Sequence, residues 1–281
     1  MKLLKIKNIF RDLKKISKSS ELINEIFKSR EIDRIKNNHR HQNPKSLIKY
    51  GYKIYSQSDE DGIIREIFSR IGTSNKIFIE FGIGNGLENN TVSLLLDGWT
   101  GLWIEASKES VHSINKNLNE IIKAQRLKVE NVFINKNNIN AIISKNIECE
   151  EIDLLSVDID GNDFHILNSI TCIKPRVVVI EYNAKFVPPV LFCIDYNASH
   201  KWERDDYFGA SLKFLESNLK DYYLVGCNIT GTNAFFVRKD LTKDNFFEPF
   251  SAENHYEPAR YFLIPFPSGH PASYKSVKVN M

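Results

Sequence analysis

The sequence has few cysteines, no long apolar run and no apolar segment near its N-terminus. Its 281 residues include four cysteines, and no two of them have the close spacing of a zinc or redox motif. No apolar run approaches the ~20 residues that a membrane-spanning helix requires. Lysine and arginine interrupt the first eleven positions, so we expect no secretory signal. These absences argue against a disulfide scaffold and an integral membrane protein, and they predict a cytoplasmic protein.

Positive charge is concentrated at the N-terminus. Residues 1–40 carry 12 basic and 5 acidic side chains, whereas the remainder carries 26 and 30. Apolar residues recur at helical spacing from Leu3 to Ile16, and a second helix is predicted after a break at Ser19–Ser20. Such a basic amphipathic arm can lie on an acidic membrane surface. The alternative is a helix that packs on the domain or on a second subunit, so a homo-oligomer is also an open expectation.

Short apolar runs alternate with helical patterns over residues 59–182. The runs at 76–82, 101–105, 127–134, 152–158 and 176–182 are predicted strands, and helices are predicted at 59–71, 90–96, 108–122, 139–146 and 164–170. A further helix at 210–218 precedes two strands, 222–226 and 234–238, which are separated by a turn that contains Gly231. Alternating elements with continuous apolar strands predict a doubly wound α/β fold with a mostly parallel, seven-stranded, Rossmann-like sheet and a C-terminal antiparallel hairpin.

The domain organisation follows from these patterns. Residues 1–50 are predicted to be a basic helical arm, and the polar stretch from His39 to Pro44 is predicted to be a linker. Residues 51–240 are predicted to form the ligand-binding domain. Residues 241–281 are rich in proline and are predicted to be an irregular extension that packs on the domain.

A glycine-rich segment, Glu80-Phe81-Gly82-Ile83-Gly84-Asn85-Gly86, follows the first predicted strand. Glycines there allow tight turning and a close backbone approach to a ligand. Leu87 stands where the dinucleotide-binding fingerprint has its third glycine. The loop is therefore a less favourable binding site for a pyrophosphate. S-adenosylmethionine has no phosphate and suits this loop, and Glu80 is expected to hold one end of it.

Glu105 ends the next predicted strand. A carboxylate at this position can accept hydrogen bonds from both hydroxyls of an adenosine ribose. This interaction fits NAD as well as S-adenosylmethionine. The predicted cofactor contacts from the residues themselves are Glu80, Gly82, Gly84, Asn85, Glu105, Ala106 and Asp158.

Acidic side chains follow the fourth and fifth predicted strands, in Asp158-Ile159-Asp160-Gly161-Asn162-Asp163 and in Glu181-Tyr182-Asn183. Ligands of open α/β sheets bind beyond the carboxyl ends of the strands, so these residues are expected near the transferred group. Mutual repulsion between the carboxylates would be relieved by Mg²⁺ or Mn²⁺. The predicted metal ligands are Asp158, Asp160, Glu181 and Asn183. The local alternative is an Asx-type turn at Asp160–Asn162 with Asp163 as a helix cap.

Transfer to oxygen requires a group that removes the hydroxyl proton. The predicted catalytic residues are Asp160, Glu181 and His200. His200 lies in a segment predicted to cover the cleft. Trp202, Tyr207 and Phe208 of that segment are expected either to stack on a sugar or to belong to the core.

Taken together, these motifs resemble those of FkbM-like methyltransferases, which are class I enzymes that use S-adenosylmethionine. The resemblance rests on five segments: Ser56-Gln57 with Glu60–Ile64, Glu80–Gly82, Gly98–Gly101, Ile104–Ala106 and Ser156–Asp163. Two further segments, Ile180–Asn183 and the tail from Gly209–Ser211 to Asn233–Phe236, are similar to the bacterial branch found among enzymes of cell-surface and capsular polysaccharides. The resemblance implies methyl transfer to a hydroxyl, often on a sugar or a decorated glycan. It also implies that Gln57, Glu80, Gly82 and Glu105 lie near the cofactor.

The leading hypothesis is therefore an O-methyltransferase with a glycan or small-molecule acceptor and no nucleic-acid partner. One alternative is a nucleotide-dependent oxidoreductase, which Leu87 and the terminal hairpin disfavour. The other is a non-catalytic binding protein on the same fold, which the acidic cluster disfavours because unpaired buried carboxylates are costly.

Overall fold

The computed structural model describes residues 2–267 and 269–278, with side chains described from residue 14 onward. The chain divides into two compact units, Met1–Gln42 and Asn43–Met281. Among the described residues, no helix is long and apolar enough to cross a membrane.

The first unit consists of one long helix, α1 (Lys2–Lys36), and a 3₁₀ turn at His39–His41. The predicted break at Ser19–Ser20 is wrong, because the helix runs through both serines. Residues 1–40 contain neither proline nor glycine, so nothing in this stretch prevents helix propagation. The Ser17 hydroxyl also donates to the Glu21 carboxylate one turn later, at 3.1 Å.

The second unit is built on a seven-stranded sheet. Its strands are β1 (Ile77–Phe81), β2 (Thr100–Glu105), β3 (Leu127–Asn131), β4 (Glu151–Val157), β5 (Lys174–Glu181), β6 (Tyr222–Cys227) and β7 (Asn233–Arg238). Their order is β3-β2-β1-β4-β5-β7-β6. The first five strands pair in parallel, and β7 pairs antiparallel with both β5 and β6. The predicted Rossmann-like architecture with a terminal hairpin is confirmed.

Helices cover the sheet and connect its strands. They are α2 (Glu60–Ile71), α3 (Val92–Leu96), α4 (Lys108–Asn117), α5 (Asn119–Lys123), α6 (Ile139–Asn146), α7 (Asp163–Leu167) and α8 (Leu212–Asn218). The helix predicted at 108–122 is divided into α4 and α5 at Leu118, whose buried side chain contributes to the core. Short helices α9 (Lys239–Thr242), α10 (Ala252–His255) and α11 (Tyr274–Lys278) punctuate the extension that was predicted to be irregular.

Two apolar layers sandwich the sheet. Neighbouring residues of one strand belong to opposite layers: Phe78 packs in one and Ile79 in the other, and Leu154 and Leu155 divide in the same way. Both faces of the central strands are therefore buried, which explains why their sequences are continuous apolar runs rather than alternating patterns. The polar residues that follow these strands are left at one edge of the sheet.

Candidate active site

A cavity of about 640 Å³ opens at the carboxyl ends of β1 to β4. Ten of the predicted site residues line it: Gln57, Glu80, Gly82, Gly84, Asn85, Glu105, Ala106, Asp158, Asp160 and His200. The predicted residues Glu181 and Asn183 are not part of its lining. Parallel strands bring their carboxyl ends to one edge, so residues that are distant in sequence converge there.

The glycine-rich loop after β1 packs tightly against the segment after β4. Gly82 has φ of 73°, and a Cβ atom there would lie 1.6 Å from the carbonyl oxygen of Asp158. Only glycine permits this approach. Gly84 has φ of 53° and faces open space, which leaves its backbone accessible from the cavity. Leu87 packs against the apolar core, so the position where a dinucleotide site has glycine is used for packing.

Glu105 joins the two loops that follow β1 and β2. One carboxylate oxygen accepts the backbone N–H of Gly84 at 2.9 Å, and the other accepts that of Ser107 at 2.8 Å. Ser107 in turn caps α4 by accepting the N–H of Ser110. The Glu105 carboxylate is thus fixed in the cavity wall, with lone pairs left over on both oxygens.

Glu80 is almost fully buried, and its carboxylate is already occupied by protein donors. The backbone N–H of Asn90 donates to one oxygen at 2.8 Å, and the Thr91 hydroxyl donates to the other. Trp103 Nε1 donates to the same hydroxyl at 2.8 Å. Burial raises the pKa of Glu80 from 4.5 to about 7. Glu80 thus holds the loop that precedes α3 and also lines the cavity, and its contact with the cofactor stays a prediction.

A group of acidic side chains lies beside the cavity. Carboxylate oxygens of Asp158, Asp163 and Glu181 lie within 4.8 Å of one another. Burial first, and then the negative charge of Asp163, raises the pKa of Asp158 well above its usual value. Burial, followed by the charge of Asp158, does the same to Glu181. One Glu181 oxygen is buried and has no hydrogen-bond partner among the described residues. These carboxyl groups therefore favour holding a proton or a cation.

Asp163 belongs to this acidic group although it was not among the predicted metal ligands, and its carboxylate folds back and accepts the N–H groups of Ile159 and Gly161 at 2.8 and 2.9 Å. Asp160 lies outside the group, and the metal roles of Asp158, Asp160, Glu181 and Asn183 stay predictions. Asn183 uses its side-chain amide elsewhere: it donates to the carbonyls of Asp206 and Phe208, at 2.9 and 3.1 Å. Asn183 thus tethers the long segment after β5.

Asp160 and His200 lie on the same side of the cavity. Asp160 is exposed and has φ of 55°, a left-handed conformation that Asp tolerates better than most residues. The His200 ring covers the next residue, Gly161, where a Cβ atom would lie 2.1 Å from the ring. Asn162 fixes the segment that carries His200 by donating to the carbonyl of Asn197 at 2.7 Å. The expected position of His200 over the cleft is confirmed.

The aromatic residues of that segment differ in their surroundings. The Trp202 ring is 43% exposed, and its N–H donates to the carbonyl of Asp205. Phe208 is half-buried and meets Trp202 edge to face, with ring centroids 5.7 Å apart. Tyr207 is exposed and accepts the N–H of Asp195 through its hydroxyl. These side chains are therefore surface residues beside the cavity and not part of the main core.

Sequence reasoning did not find a second group of acids that shapes the site. Glu60 is fully buried and accepts hydrogen bonds from the side-chain amides of Asn228, in the β6–β7 turn, and Asn233, the first residue of β7. Asp61 accepts the backbone N–H groups of Ile54, Tyr55 and Ser56. These contacts fix the segment that carries Gln57 and bring Asn233 into the cavity wall.

Another unforeseen contact comes from the C-terminal extension. The Tyr274 hydroxyl, at the start of α11, donates to the carbonyl of Asn85 in the glycine-rich loop. The Tyr55 hydroxyl donates to Ser276 at 2.9 Å, and Val277 is fully buried. The last described helix therefore braces the loop. In the sequence, the only indication of this contact was the aromatic residue Tyr274 itself, which lies 189 positions after Asn85.

The family model of the methyltransferase FkbM domain matches residues 60–222. The chain belongs to the FkbM methyltransferase family. The match covers more than half of the chain, from the start of α2 to the start of β6. Like the rest of its family, the chain is a methyltransferase of class I fold.

Several solved structures to which the chain is similar are structures of methyltransferases. A putative O-methyltransferase from Klebsiella pneumoniae is 16% identical with a TM-score of 0.40, over 62% of this chain and 78% of that one. A methyltransferase from Geobacter sulfurreducens is 12% identical with a TM-score of 0.38, over 63% and 77%. The methyltransferase domain of bacterial CtHen1-C is 14% identical with a TM-score of 0.39, over 63% and 94%. The comparison with curated proteins gave no match, and the family assignment rests on the family model.

The class I family implies S-adenosylmethionine as methyl donor, and the cavity residues fit it. Five carboxylates line the cavity, from Glu80, Glu88, Glu105, Asp158 and Asp160, and its described lining contains neither lysine nor arginine. This environment suits a cationic sulfonium and disfavours a pyrophosphate. Buried polar atoms of three lining residues, Asn89, His200 and Asn233, have no hydrogen-bond partner among the described residues. They are donors and acceptors that a polar ligand would satisfy.

Proposed function

We propose that this FkbM methyltransferase transfers the methyl group of S-adenosylmethionine to a hydroxyl of a sugar or decorated glycan precursor. The proposed setting is cytoplasmic biosynthesis of a cell-surface polysaccharide such as a capsule. The observation that carries the proposal is the acidic cavity, whose described lining holds five carboxylates and no basic residue except His200. The choice of a sugar hydroxyl comes from the family resemblance.

The acidic lining supports a sulfonium donor and a neutral acceptor. Glu105 is placed to accept the ribose hydroxyls, since both of its oxygens are fixed and retain lone pairs. Gly84 and Asn85 would lie along the adenosine, and Gln57 would lie at the opposite wall. A nucleic-acid acceptor would bring phosphates against these carboxylates, which is unfavourable without compensating cations.

Methyl transfer to oxygen requires alignment and a proton acceptor. The acceptor oxygen attacks the methyl carbon, the bond from carbon to sulfur breaks, and S-adenosylhomocysteine leaves. The hydroxyl proton passes to a carboxylate. Asp158 is suited to this step because it lines the cavity and burial raises its pKa, which makes its ionised form a stronger base. Asp160 and His200 are the neighbouring groups that would orient the hydroxyl.

A divalent cation, instead of a proton, would also reduce the electrostatic repulsion among the carboxylates of this acidic group. We propose Mg²⁺ or Mn²⁺ between Asp158 and Glu181, with Asp163 completing the oxygen ligands. A bound cation would lower the pKa of a nearby hydroxyl. Titration calorimetry with Mn²⁺ distinguishes the two cases. Heat that is lost in Glu181→Gln supports the metal, and no heat in the wild type leaves Asp158 as the base.

The acceptor proposal is tested with radiolabelled S-adenosylmethionine. The purified chain is offered nucleotide sugars, oligosaccharides and a structured RNA, and labelled products are separated and analysed by mass spectrometry. We expect label only in carbohydrate, as an ether that survives mild alkali, and no label with Asp158→Asn. Labelled RNA would contradict the proposed glycan acceptor, and an alkali-labile ester would contradict the hydroxyl assignment. Oxidation of a sugar with NAD in place of methylation would favour the oxidoreductase alternative.

A further inference from the structure

The long helix α1 carries apolar residues at a spacing that the methyltransferase domain does not explain. Along the sequence, positions 6, 9, 13, 16, 20, 23 and 27 alternate between steps of three and four. All but Ser20 are apolar. Spacing of this kind, sustained over three heptads, is typical of a helix that packs against another helix in a coiled coil.

The described part of this row is exposed to solvent. Ile16 is 65% exposed and Ile23 is 67% exposed. Two large aliphatic side chains one heptad apart, on the same face of one helix, form an apolar surface that water contacts unfavourably. We call the row of seven positions the α1 seam.

Polar residues on the α1 seam argue for a helix as its partner and against a membrane surface. Ser20 lies within the seam, and Asn24 lies at its margin, so both would enter the hydrocarbon boundary if this face lay on lipid. A single polar residue at a seam position is a common device for fixing register.

The charge pattern argues that the partner is a second copy of α1. The arm carries a strong excess of positive charge, which would oppose self-association if it lay along the contact. Lys14 and Lys18 instead lie on the opposite side of the helix, at 100° per residue. The positions that flank the seam between residues 16 and 27 include Ser17, Ser19, Asn24 and Ile26, and none of these is charged.

We propose that FkbM chains of this sequence self-associate through the α1 seam, each copy packing Ile16 and Ile23 against the same residues of another copy. The α1 helix is then an oligomerisation element outside the matched family region, which begins at residue 60. In a parallel pair, Ser20 meets its counterpart, and Lys14 and Lys18 stay in solvent. This inference does not depend on the identity of the acceptor.

A matched pair of substitutions tests the proposal on the full-length chain. Ile23 and its neighbour Leu22 have similar exposures, 67% and 61%, but Leu22 lies off the seam, about 140° around the helix. Sedimentation analysis should give a mass at least twice 32.5 kDa for the wild type and for Leu22→Lys. Ile23→Lys should raise the dissociation constant about tenfold or more, because it places charge in an apolar contact.

Further readouts separate a specific seam from loss of structure or from lipid binding. Ser20→Ile should tighten the association, and thermal unfolding of the second unit should be unchanged in every variant. Lysine is a good helix former, so the helix itself should persist. A monomeric wild type at about 100 μM, or equal dissociation by Leu22→Lys, overturns the proposal. So does binding to phosphatidylglycerol vesicles that Ile23→Lys abolishes in a chain that stays monomeric.

Discussion

The buried carboxyl of Glu80 predicts a specific pH dependence of stability. Its pKa rises from 4.5 to about 7 in the folded protein, because burial disfavours the charged form more than its hydrogen bonds favour it. An acid whose folded pKa is raised binds its proton more tightly when folded. Its contribution to the free energy of unfolding is therefore greatest below pH 4.5 and is lost as the pH rises toward 7.

The size of this effect follows from the pKa difference. Each pKa unit corresponds to ~1.36 kcal/mol, so the rise from 4.5 to about 7 costs about 3 kcal/mol of folding free energy at pH 8, as an upper figure. Glu80→Gln removes the titration and retains a side chain of the same shape. The substitution replaces one carboxylate oxygen by an NH2 group, so the N–H of Asn90 or the hydroxyl of Thr91 loses its acceptor, which adds a pH-independent penalty of about 1–3 kcal/mol.

The assay is urea unfolding of the wild type and Glu80→Gln at pH 5, 6, 7 and 8. We expect the wild type to lose stability relative to the variant as the pH rises, by about 2–3 kcal/mol in total over this range. Glu120→Gln, on the exposed surface of α5, is the control and should follow the wild type at every pH. A constant difference between wild type and Glu80→Gln would refute the assignment of a raised pKa to this residue.

The remaining predictions concern the cavity. Glu105→Ala should weaken S-adenosylhomocysteine binding by at least about tenfold, measured by calorimetry, because the loss of a charged hydrogen-bond acceptor costs more than ~1.4 kcal/mol; unchanged affinity would remove Glu105 from the ribose. Tyr274→Phe should weaken the same binding several-fold by releasing the glycine-rich loop, whereas Tyr222→Phe, which loses a hydroxyl bond to the carbonyl of Pro175 outside the cavity, should not; equal effects would contradict the bracing role. Asp160→Asn should lower turnover more than cofactor affinity, since Asn also tolerates φ of 55°; equal turnover would show that Asp160 takes no part in catalysis.

The sheet could be predicted from sequence because its strands are buried on both faces. Continuous apolar runs bounded by polar residues predicted each strand to within a few residues, and helix Ile139–Asn146 has the predicted bounds. The interruption at Leu118 could not be predicted, since it occurs at a buried apolar residue without glycine or proline. At Ser19–Ser20 the error was the reverse, because a helix end was predicted where none occurs. Serines are common at helix ends, but these two lie in the middle of α1.

Convergence of residues at the cavity was predictable for the same reason. Strand ends meet at one edge, so Glu80, Glu105 and Asp158 were expected to approach one another. Their hydrogen-bond partners were not predictable, because they depend on loops. Asp163 joins Asp158 and Glu181 only because its carboxylate turns back onto Ile159 and Gly161.

Asn183 and Tyr274 illustrate long-range contacts that local pattern does not reveal. The segment after β5 folds back, and two of its carbonyls accept the amide hydrogens of Asn183, a contact that the predicted metal role of Asn183 did not anticipate. Tyr274 was assigned to an irregular tail, yet it reaches the glycine-rich loop. The catalytic, cofactor and metal roles of individual residues stay predictions until such variants are measured.

The central claim is that the cavity at the carboxyl ends of β1 to β4 binds S-adenosylmethionine. The direct measurement is thermal unfolding of the wild type and Glu105→Ala with S-adenosylhomocysteine, with NAD, or with neither. A ligand at about 100 times its dissociation constant adds ~2.7 kcal/mol of stability. We predict a clear rise in melting temperature for the wild type with S-adenosylhomocysteine alone, and little or none for Glu105→Ala. A rise with NAD instead, or an equal rise in both proteins with S-adenosylhomocysteine, would contradict the claim.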